Sequence, residues 1–199
     1  MNYRPNGKLP ITIRSSQERY LDCNIVEKVP LKISEISTKL GVMLAAGDEE
    51  KLYLLKFTDS RSFDRTVTRI RSQSLFTVVL GSSRSIQSIE SELTLYFEGR
   101  LQMFRTPVEF WGTLFQKVVW TGLMKIPFGK TESYRGQAER LKRPTAVRAV
   151  ACANAANPLS LIVPCHRIIR SNGQLGGYGG RVWRKKWLIE HERIHRNEE

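Results

Sequence analysis

The sequence contains few of the features that mark membrane, secreted or disulfide-stabilised proteins. It has no run of about 18 or more apolar residues, which excludes an ordinary transmembrane helix. Its three cysteines, at positions 23, 152 and 165, are too few for a disulfide framework or a four-cysteine zinc site. We therefore expect free thiols in a reducing compartment, no metal and no membrane.

The N-terminal segment and the composition indicate the general class of protein. Residues 1–8 lack the apolar core of a secretory signal, so we expect a cytoplasmic protein, or a nuclear one in a eukaryotic cell. The 199 residues, 41% hydrophobic and 26% charged, suffice for one or two globular domains and are not typical of fibrous or disordered chains.

Positive charge is in excess and is unevenly distributed. The net charge is +13, and residues 1–100 hold 15 Lys and Arg against 12 Asp and Glu, whereas residues 101–199 hold 17 against 7. Most of the excess therefore lies in the second half, which indicates a basic surface facing a polyanion. DNA, RNA and an anionic membrane surface all fit this charge, which names a class of partner and not a function.

The first half, residues 1 to about 105, has the pattern of a small α/β domain. The predicted elements are an extended arm or first strand (1–30), a hairpin of buried strands (31–57) turning at Gly47-Asp-Glu-Glu, and two helices (62–72 and 85–98), the second capped by Gly99.

The second half, residues 106–199, has a mainly helical pattern. Thr113 and Gln116 form a predicted capping box. The predicted elements are a helix from this box to before Pro127, a short helix (133–141), a turn, an alanine-rich helix from Pro144 to Asn157, and a last helix (183–195). The two middle helices, joined by a tight turn, resemble a helix-turn-helix.

The alanine-rich helix fits two interpretations. It can be a well-packed core helix, because alanine has the highest helix propensity. It can also be a helix whose small side chains (Ala149, Ala151 and Ala153) let its backbone approach a narrow groove. Arg148, which stands alone among the alanines, favours the second interpretation.

The segment Leu161-Ile-Val-Pro-Cys-His-Arg-Ile-Ile169 places a thiol inside an apolar run that predicts a buried strand. A lone buried cysteine is usually inert, and this is our interpretation of Cys23 and Cys152. Cys165 differs because His166 follows it directly and Arg167 comes next. A cation or an imidazole near a thiol lowers its pKa, and the thiolate is the nucleophile.

The motif Pro164-Cys-His-Arg167, with Ile and Val on both sides, resembles the active-site motif of the methylated-DNA–protein-cysteine methyltransferases, also called alkylguanine-DNA alkyltransferases. Further matches at the family's spacings are Gly112-Thr-Leu-Phe-Gln116, Val119-Trp120, Ile126-Pro127, Gly129, Ser133-Tyr134, Ala146-Val-Arg-Ala-Val150, Asn157, Gly177-Tyr178, Arg184-Lys185 and Glu192. The resemblance implies a ribonuclease-H-like α/β N-terminal domain and a mainly α, winged-helix-like C-terminal domain with a helix-turn-helix. Departures are modest: Lys142-Arg143 occupies a turn where relatives often have glycine, and Cys152 lies in the recognition helix.

The resemblance also implies a reaction and a role for each matching residue. Cys165 would accept the alkyl group of a flipped 6-O-methylguanine, and of 4-O-methylthymine, in one irreversible turnover without a cofactor. His166 would act as a base through water, because neighbours in an extended chain point to opposite faces. Glu192 would orient His166, and Asn157 would hydrogen-bond backbone in the preceding turn.

Other matching residues would contact the DNA or the base. The partner would be double-stranded DNA carrying alkylated bases, bound by a monomer. Arg148 would fill the gap left by the flipped base, and backbone groups at Val163 and Cys165 would read its edge. The implied DNA contacts are Ser133, Tyr134, Arg148 and Ala149, and the implied pocket residues are Val163, Tyr178, Gly179, Gly180 and Lys185. Without the resemblance, Glu192 would be read as a solvated charge of the last helix, as we still read His191 and His195.

Three alternatives are weighed against this hypothesis. In non-catalytic alkyltransferase-like proteins tryptophan replaces the acceptor cysteine, whereas Cys165 is present here. A helix-turn-helix regulator would leave the Pro-Cys-His-Arg motif unexplained. A cysteine hydrolase would use the thiol and imidazole but would leave the basic helices without a purpose.

Overall fold

The computed structural model describes residues 29–72 and 76–196, which form a mixed sheet with helices packed around it. The expectations for the arm before residue 29 and for Cys23 lie outside these residues. In chain order the elements are β1 (Val29–Thr38), β2 (Gly41–Gly47), β3 (Leu52–Phe57), α1 (Phe63–Arg71), β4 (Phe76–Leu80), α2 (Arg84–Phe97), α3 (Leu114–Leu123), β5 (Glu132–Ser133), α4 (Tyr134–Arg140), α5 (Val147–Ala155), β6 (Ile168–Ile169) and α6 (Val182–His195). Within the described ranges, no helix is both long and apolar enough to cross a membrane.

The main sheet has the strand order β3-β2-β1-β4, in which β1 and β4 run parallel and the other neighbours run antiparallel. The predicted hairpin is confirmed as β2 and β3. Its turn is closed by Asp48, whose Oδ1 accepts hydrogen bonds from the backbone N–H groups of Glu50 (2.8 Å) and Lys51 (2.7 Å). All six residues of β3 are buried, so this strand has protein on both faces.

Helix α2 covers the sheet with Ile86, Ile89 and Leu93, which are at most 2% exposed. Gly99 follows its C-terminus with a φ of +76°, a left-handed position that favours glycine, so the predicted cap is confirmed. The capping box of α3 is also confirmed: Thr113 Oγ1 accepts from the backbone N–H of Gln116 at 3.2 Å, and Gln116 Oε1 accepts from that of Thr113 at 3.1 Å.

The alanine-rich helix is shorter than predicted. Pro144 begins a three-residue 3-10 turn, and the α-helical part, α5, runs only from Val147 to Ala155. The turn before it places Lys142 at a φ of +56°, which is uncommon for a residue with a Cβ atom. Helices α4 and α5 pack against each other across this turn.

The prediction of a continuous buried strand over 161–169 is wrong. Pro164 has φ −81° and ψ 60°, the geometry of an inverse γ-turn, and the backbone N–H of Cys165 donates to the carbonyl of Val163 at 2.8 Å. A 3-10 turn over Cys165–Arg167 follows, and the strand of this run comprises Ile168–Ile169 alone. The chain therefore bends at the thiol, and Cys165 and His166 do not alternate as neighbours in a strand would.

A single buried apolar cluster contains side chains from both halves of the chain, such as Leu55 and Leu93 before residue 105 and Val119 and Leu188 after it. Backbone bonds reinforce this contact, because Leu55 pairs with Leu159 in an isolated parallel bridge. The two halves are thus packed together. Their division into domains at residue 105 stays a prediction.

Candidate active site

A cavity of 580 Å³ opens beside the bend that carries the thiol. Cys165 is half-buried at its wall. The predicted residues Tyr134, Arg148, Tyr178 and Gly179 line the same cavity. The fold thus brings together predicted residues that are up to 45 positions apart in the sequence, because α4, α5, the thiol bend and the glycine-rich loop before α6 (176–180) meet here.

Asn157 holds the thiol from the protein side. Its Nδ2 donates to the carbonyl of Val163 at 2.8 Å and lies 3.2 Å from Cys165 Sγ, while its Oδ1 accepts from the backbone N–H of Leu159 at 2.9 Å. Asn157 is 2% exposed, so these bonds are shielded from water. The predicted bonds to backbone are therefore present, and the contact with the sulfur adds to them.

The backbone around the thiol is already engaged. The carbonyl of Val163 accepts from both Asn157 Nδ2 and the Cys165 N–H, which uses its two lone pairs. The Val163 carbonyl therefore has no free lone pair in this conformation, and the role of Val163 as a reader of the base edge stays a prediction. The carbonyl of Cys165 accepts one bond, from the N–H of Ile168, and keeps one lone pair.

A buried carboxylate lies behind the thiol bend. Glu192 is 1% exposed, so it is not the solvated charge that its sequence context alone would suggest. Its Oε1 accepts from His166 Nε2 (2.9 Å), Tyr96 Oη (2.9 Å) and Arg167 Nη2 (3.0 Å), and its Oε2 from Arg167 Nε (2.8 Å) and the Gly129 N–H (3.1 Å). Burial alone would raise the pKa of Glu192, but His166 and Arg167 together hold it well below its usual range.

The bond to Glu192 decides how His166 can act. Because the carboxylate accepts from Nε2, the neutral imidazole carries its proton there and presents Nδ1 as the acceptor. Nδ1 is buried and has no hydrogen-bond partner among the described residues. Burial also lowers the pKa of His166, although Glu192 opposes this, so the ring is neutral at rest. A neutral imidazole with a free, shielded nitrogen can take up a proton.

The charges that face the sulfur differ from those expected. Burial raises the pKa of the Cys165 thiol, and the groups that oppose this are the Asn157 amide and then the ammonium groups of Lys56 and Lys185. Arg167 is directed at Glu192 and at the Ile126 carbonyl instead. Arg167 therefore does not face the sulfur, and the ammonium groups that act on the thiol come from more distant elements. The expectation that His166 lowers the thiol pKa stays a prediction.

Lys185, a predicted pocket residue, is fully buried. Its Nζ donates to the carbonyls of Ile168 and of Gly177, the latter at 3.3 Å. Burial lowers the pKa of Lys185 to about 8, with the thiol acting in the opposite direction. Lys185 therefore ties the segment after the thiol to the glycine-rich loop.

The glycine-rich loop closes the cavity around Tyr178, which is 9% exposed. A Cβ on Gly180 would come within 2.8 Å of the Tyr178 ring, so only glycine fits there without displacing the tyrosine. The carbonyl of Gly179 accepts from the backbone N–H of Arg61 at 3.2 Å, and Tyr134 Oη donates to the Gly177 carbonyl at 3.4 Å. The loop is thus bonded to both halves of the chain.

The residues expected to contact DNA occupy different environments. Arg148 and Ala149 are exposed on α5, and Tyr134 is half-buried at the start of α4. Ser133 is the N-cap of α4, and its Oγ accepts from the Gly136 N–H at 2.9 Å. A structural role thus accounts for the hydroxyl of Ser133, whereas Arg148 is open to a ligand.

Three expectations about which side chains are buried and which are exposed are wrong. Cys152 is exposed and lines the cavity, so it is not a buried, inert thiol. Ala153 is 3% exposed, and its carbonyl accepts from Trp120 Nε1 at 2.8 Å, so it faces the core and no groove. His191 is buried as well, with Nε2 2.7 Å from the carbonyl of Tyr96 and its ring stacked on Trp187.

Sequence reasoning missed Lys56, Tyr96 and Arg61. Lys56 is 3% exposed and donates to the Asn157 carbonyl at 3.0 Å, Tyr96 binds Glu192, and Arg61 lines the cavity. A signal existed for Lys56 alone, because a lysine inside the apolar run Leu52–Phe57 must be buried with its charge.

Comparison with known proteins gives consistent matches. The family model described as 6-O-methylguanine DNA methyltransferase, DNA binding domain, matches residues 114–194. The methylated-DNA–protein-cysteine methyltransferase of Mycobacterium leprae is 48% identical over 103 residues, which are 52% of this chain and 62% of that protein. Its counterpart in Mycolicibacterium paratuberculosis is 36% identical over 160 residues, which are 80% of this chain and 91% of that protein.

Solved structures extend the similarity to the fold. The crystal structure of Mycobacterium tuberculosis OGT in complex with DNA matches with a TM-score of 0.71 and 34% identity, covering 84% of this chain and 94% of that one. The alignments with the Mycobacterium leprae and Shigella flexneri proteins span less than two thirds of those relatives, at 62% and 61%.

Proposed function

Because this chain belongs to the methylated-DNA–protein-cysteine methyltransferase family, we propose that it repairs DNA by moving an alkyl group from a base oxygen to its own Cys165. One observation carries the proposal. The half-buried Cys165 thiol lies at a cavity wall and is held by Asn157. The adjacent His166 is bonded through Nε2 to Glu192, and its buried Nδ1 has no partner within the described part of the chain. This arrangement supplies a nucleophile, a proton acceptor and a group that stabilises the resulting cation.

In the proposed reaction the Cys165 sulfur attacks the alkyl carbon of 6-O-methylguanine, or of 4-O-methylthymine. The S–C bond forms as the C–O bond to the base breaks. The thiol proton passes through a water to Nδ1 of His166, and a proton returns to the departing base, so charge and protons balance. The thioether product has no labile bond, so each molecule acts once and needs no cofactor.

The base must leave the duplex to reach the sulfur. Flipping costs a few kcal/mol, and less for a damaged pair. The cavity of 580 Å³ is within the range of about 300–1,000 Å³ that is usual for ligand sites. Val163, Tyr178, Gly179, Gly180 and Lys185 form the pocket in this proposal. The Cys165 carbonyl, which keeps one free lone pair, reads the base edge.

Helices α4 and α5 form the proposed DNA-binding surface. We assign Arg148 as the side chain that fills the gap left by the flipped base, because it is exposed beside the cavity mouth. Tyr134, Ala149 and Ser133 complete the surface. The ribonuclease-H-like N-terminal and winged-helix-like C-terminal domains, the helix-turn-helix, the monomeric state and the cytoplasmic location are parts of the same proposal.

The proposal is tested by finding whether a methyl group is transferred to the sulfur of Cys165. The protein is incubated with a duplex that contains one 6-O-methylguanine, and peptide mass mapping locates the methyl group. We expect one methyl per protein on Cys165, none after Cys165→Ala, and normal transfer after Cys152→Ala, which removes the other cavity thiol. Several turnovers per molecule, or a methyl group on Cys152, would rule the proposal out.

A further inference from the structure

Lys56 is an unusual residue for the centre of a buried strand. It lies in β3, whose six residues are all buried, and its own exposure is 3%. An ammonium group removed from water is costly unless another group compensates it. Among the described residues Lys56 forms no ion pair with a carboxylate, so its charge must be compensated in another way.

Lys56 is connected to the Cys165 thiol through hydrogen bonds of Asn157. Its Nζ donates to the carbonyl of Asn157 at 3.0 Å, and the amide of the same Asn157 lies 3.2 Å from Cys165 Sγ. The neighbouring residue strengthens this connection, because the Leu55 N–H donates to the Pro158 carbonyl at 3.0 Å and the Leu55 carbonyl accepts from the Ser160 N–H at 2.7 Å. β3 therefore holds the turn from which Asn157 reaches the sulfur.

Cys165 is the titratable group that acts on Lys56. Burial lowers the pKa of Lys56, and the Cys165 thiol is the group that raises it. The titratable groups that act on Cys165 or respond to it come from four places: Lys56 on β3, Tyr134 on α4, Tyr178 in the glycine-rich loop and Lys185 on α6. Burial and the thiol raise the pKa of both tyrosines, so they stay neutral, and His166 is neutral as well. Lys56 and Lys185 are thus the cations that act most strongly on the thiol, while Arg61, Arg148 and Arg170 line the same cavity.

We propose that Lys56 is a positioning residue of the alkyl-transfer site, which orients the Asn157 turn through one hydrogen bond and stabilises the Cys165 thiolate with its buried charge. The inference rests on the proposed function only for its purpose, since the reactivity of the thiol is measurable without alkylated DNA. Lys185 differs from Lys56, because its Nζ also donates hydrogen bonds to the carbonyls of Ile168 and Gly177. The consequence is that a residue of the first half of the chain controls the nucleophile of the second half.

The experiment measures the rate at which iodoacetamide labels Cys165 as a function of pH, with peptide mapping to separate it from the other cysteines. The variants are Lys56→Met, which removes charge and hydrogen bond, Lys56→Gln, which keeps a donor without charge, and Lys56→Arg, which keeps the charge. The control is Lys51→Met, which removes a lysine just before β3 that pairs with Glu109 at 3.1 Å.

We expect the midpoint of the labelling curve to rise by about one pH unit in the Met and Gln variants, because a nearby cation favours the thiolate. The Arg and Lys51→Met variants should keep a curve close to that of the unmodified protein. If Lys56→Met does not fold, the Gln and Arg pair decides. A Gln variant with an unshifted midpoint would overturn the charge role of Lys56, even if methyl transfer to Cys165 is demonstrated. Conversely, a shifted midpoint in a protein that transfers no methyl group would support Lys56 and reject the proposed function.

Discussion

Replacing Glu192 with glutamine tests whether the buried cluster behind the thiol is held by charge or only by shape. The carboxylate accepts five hydrogen bonds, two of them from the Arg167 guanidinium, at 2.8 and 3.0 Å. Glutamine has nearly the same volume but offers one oxygen, so its NH₂ group must face donors. If that group takes the place of Oε2, it confronts Arg167 Nε and the Gly129 N–H, and neither of them can accept.

The expected loss of unfolding free energy follows from Arg167, which stays buried after the substitution. Arg167 is 7% exposed and would lose its anionic partner, and breaking a buried ion pair from one side costs about 3–5 kcal/mol. Total stabilities of about 5–15 kcal/mol mean that the variant still folds but loses a large part of its margin. For a chain of this size, the expected decrease in Tm is on the order of 10 °C.

The assay is urea unfolding near neutral pH, with the methyl-transfer rate measured in the same preparation. The control is Glu190→Gln, in the same helix, where the carboxylate is exposed and pairs with the exposed Arg193. This control should leave stability unchanged, because exposed pairs contribute little. Transfer should slow by about 100-fold in Glu192→Gln, since the imidazolium loses its stabilising anion. Equal unfolding midpoints for the two variants would refute the reasoning.

Three further predictions follow from the same structure. Stability should decrease as pH falls below about 6.5. Burial holds the pKa of His166 in the folded protein under its ordinary 6.5, so the unfolded chain binds a proton that the folded protein does not. The loss continues in more acidic solution, because the pKa of Glu192 lies below its ordinary 4.5 in the folded protein. Urea midpoints at several pH values measure this, and a flat profile between about pH 7 and 5 would contradict it. Arg148→Ala should slow transfer from duplex DNA far more than transfer from free alkylated guanine, and equal losses would remove Arg148 from the flipping step. Lys142→Gly should raise stability by roughly 0.5–1 kcal/mol, because glycine adopts the left-handed conformation of residue 142 without the steric strain of a Cβ atom. Lys142→Ala keeps a Cβ atom and should give no gain.

Local patterns in the sequence predicted most of the helices and strands. The capping box of Thr113 and Gln116 and the glycine cap at Gly99 depend on short-range contacts that the sequence states directly. The thiol bend was missed because the apolar run around Pro164 indicates burial but not backbone direction. The inner face of α5 was misplaced because alanines give little amphipathic contrast, so Ala153 could not be distinguished from Ala149.

The candidate site was predicted unevenly for a physical reason. Motif residues close in sequence, such as Cys165 and His166, were identified through the family resemblance, but their electrostatic partners come from distant elements. The lysine in β3 is 109 positions before the thiol, and nothing within the strand indicates which group its ammonium faces. Tyr96 was likewise expected only as part of a helix, although it donates to Glu192.

The charged residues at the site form two groups, one with a paired anion and cation and one with cations alone. In the proposed reaction the first group serves the proton acceptor His166, and the second serves the nucleophile Cys165. Glu192 and Arg167 neutralise each other at rest, and in the proposed reaction the cluster gains a second cation when His166 takes up the thiol proton. Lys56 and Lys185 form no ion pair with a carboxylate among the described residues, and in our proposal a thiolate at Cys165 matches their charge. Losing Glu192 should therefore reduce stability and transfer together, whereas losing the Lys56 charge should raise the pKa of the thiol with a smaller effect on folding. Identical effects of the two changes would mean that the groups act as one network, and that the sulfur responds to all four charges without distinction.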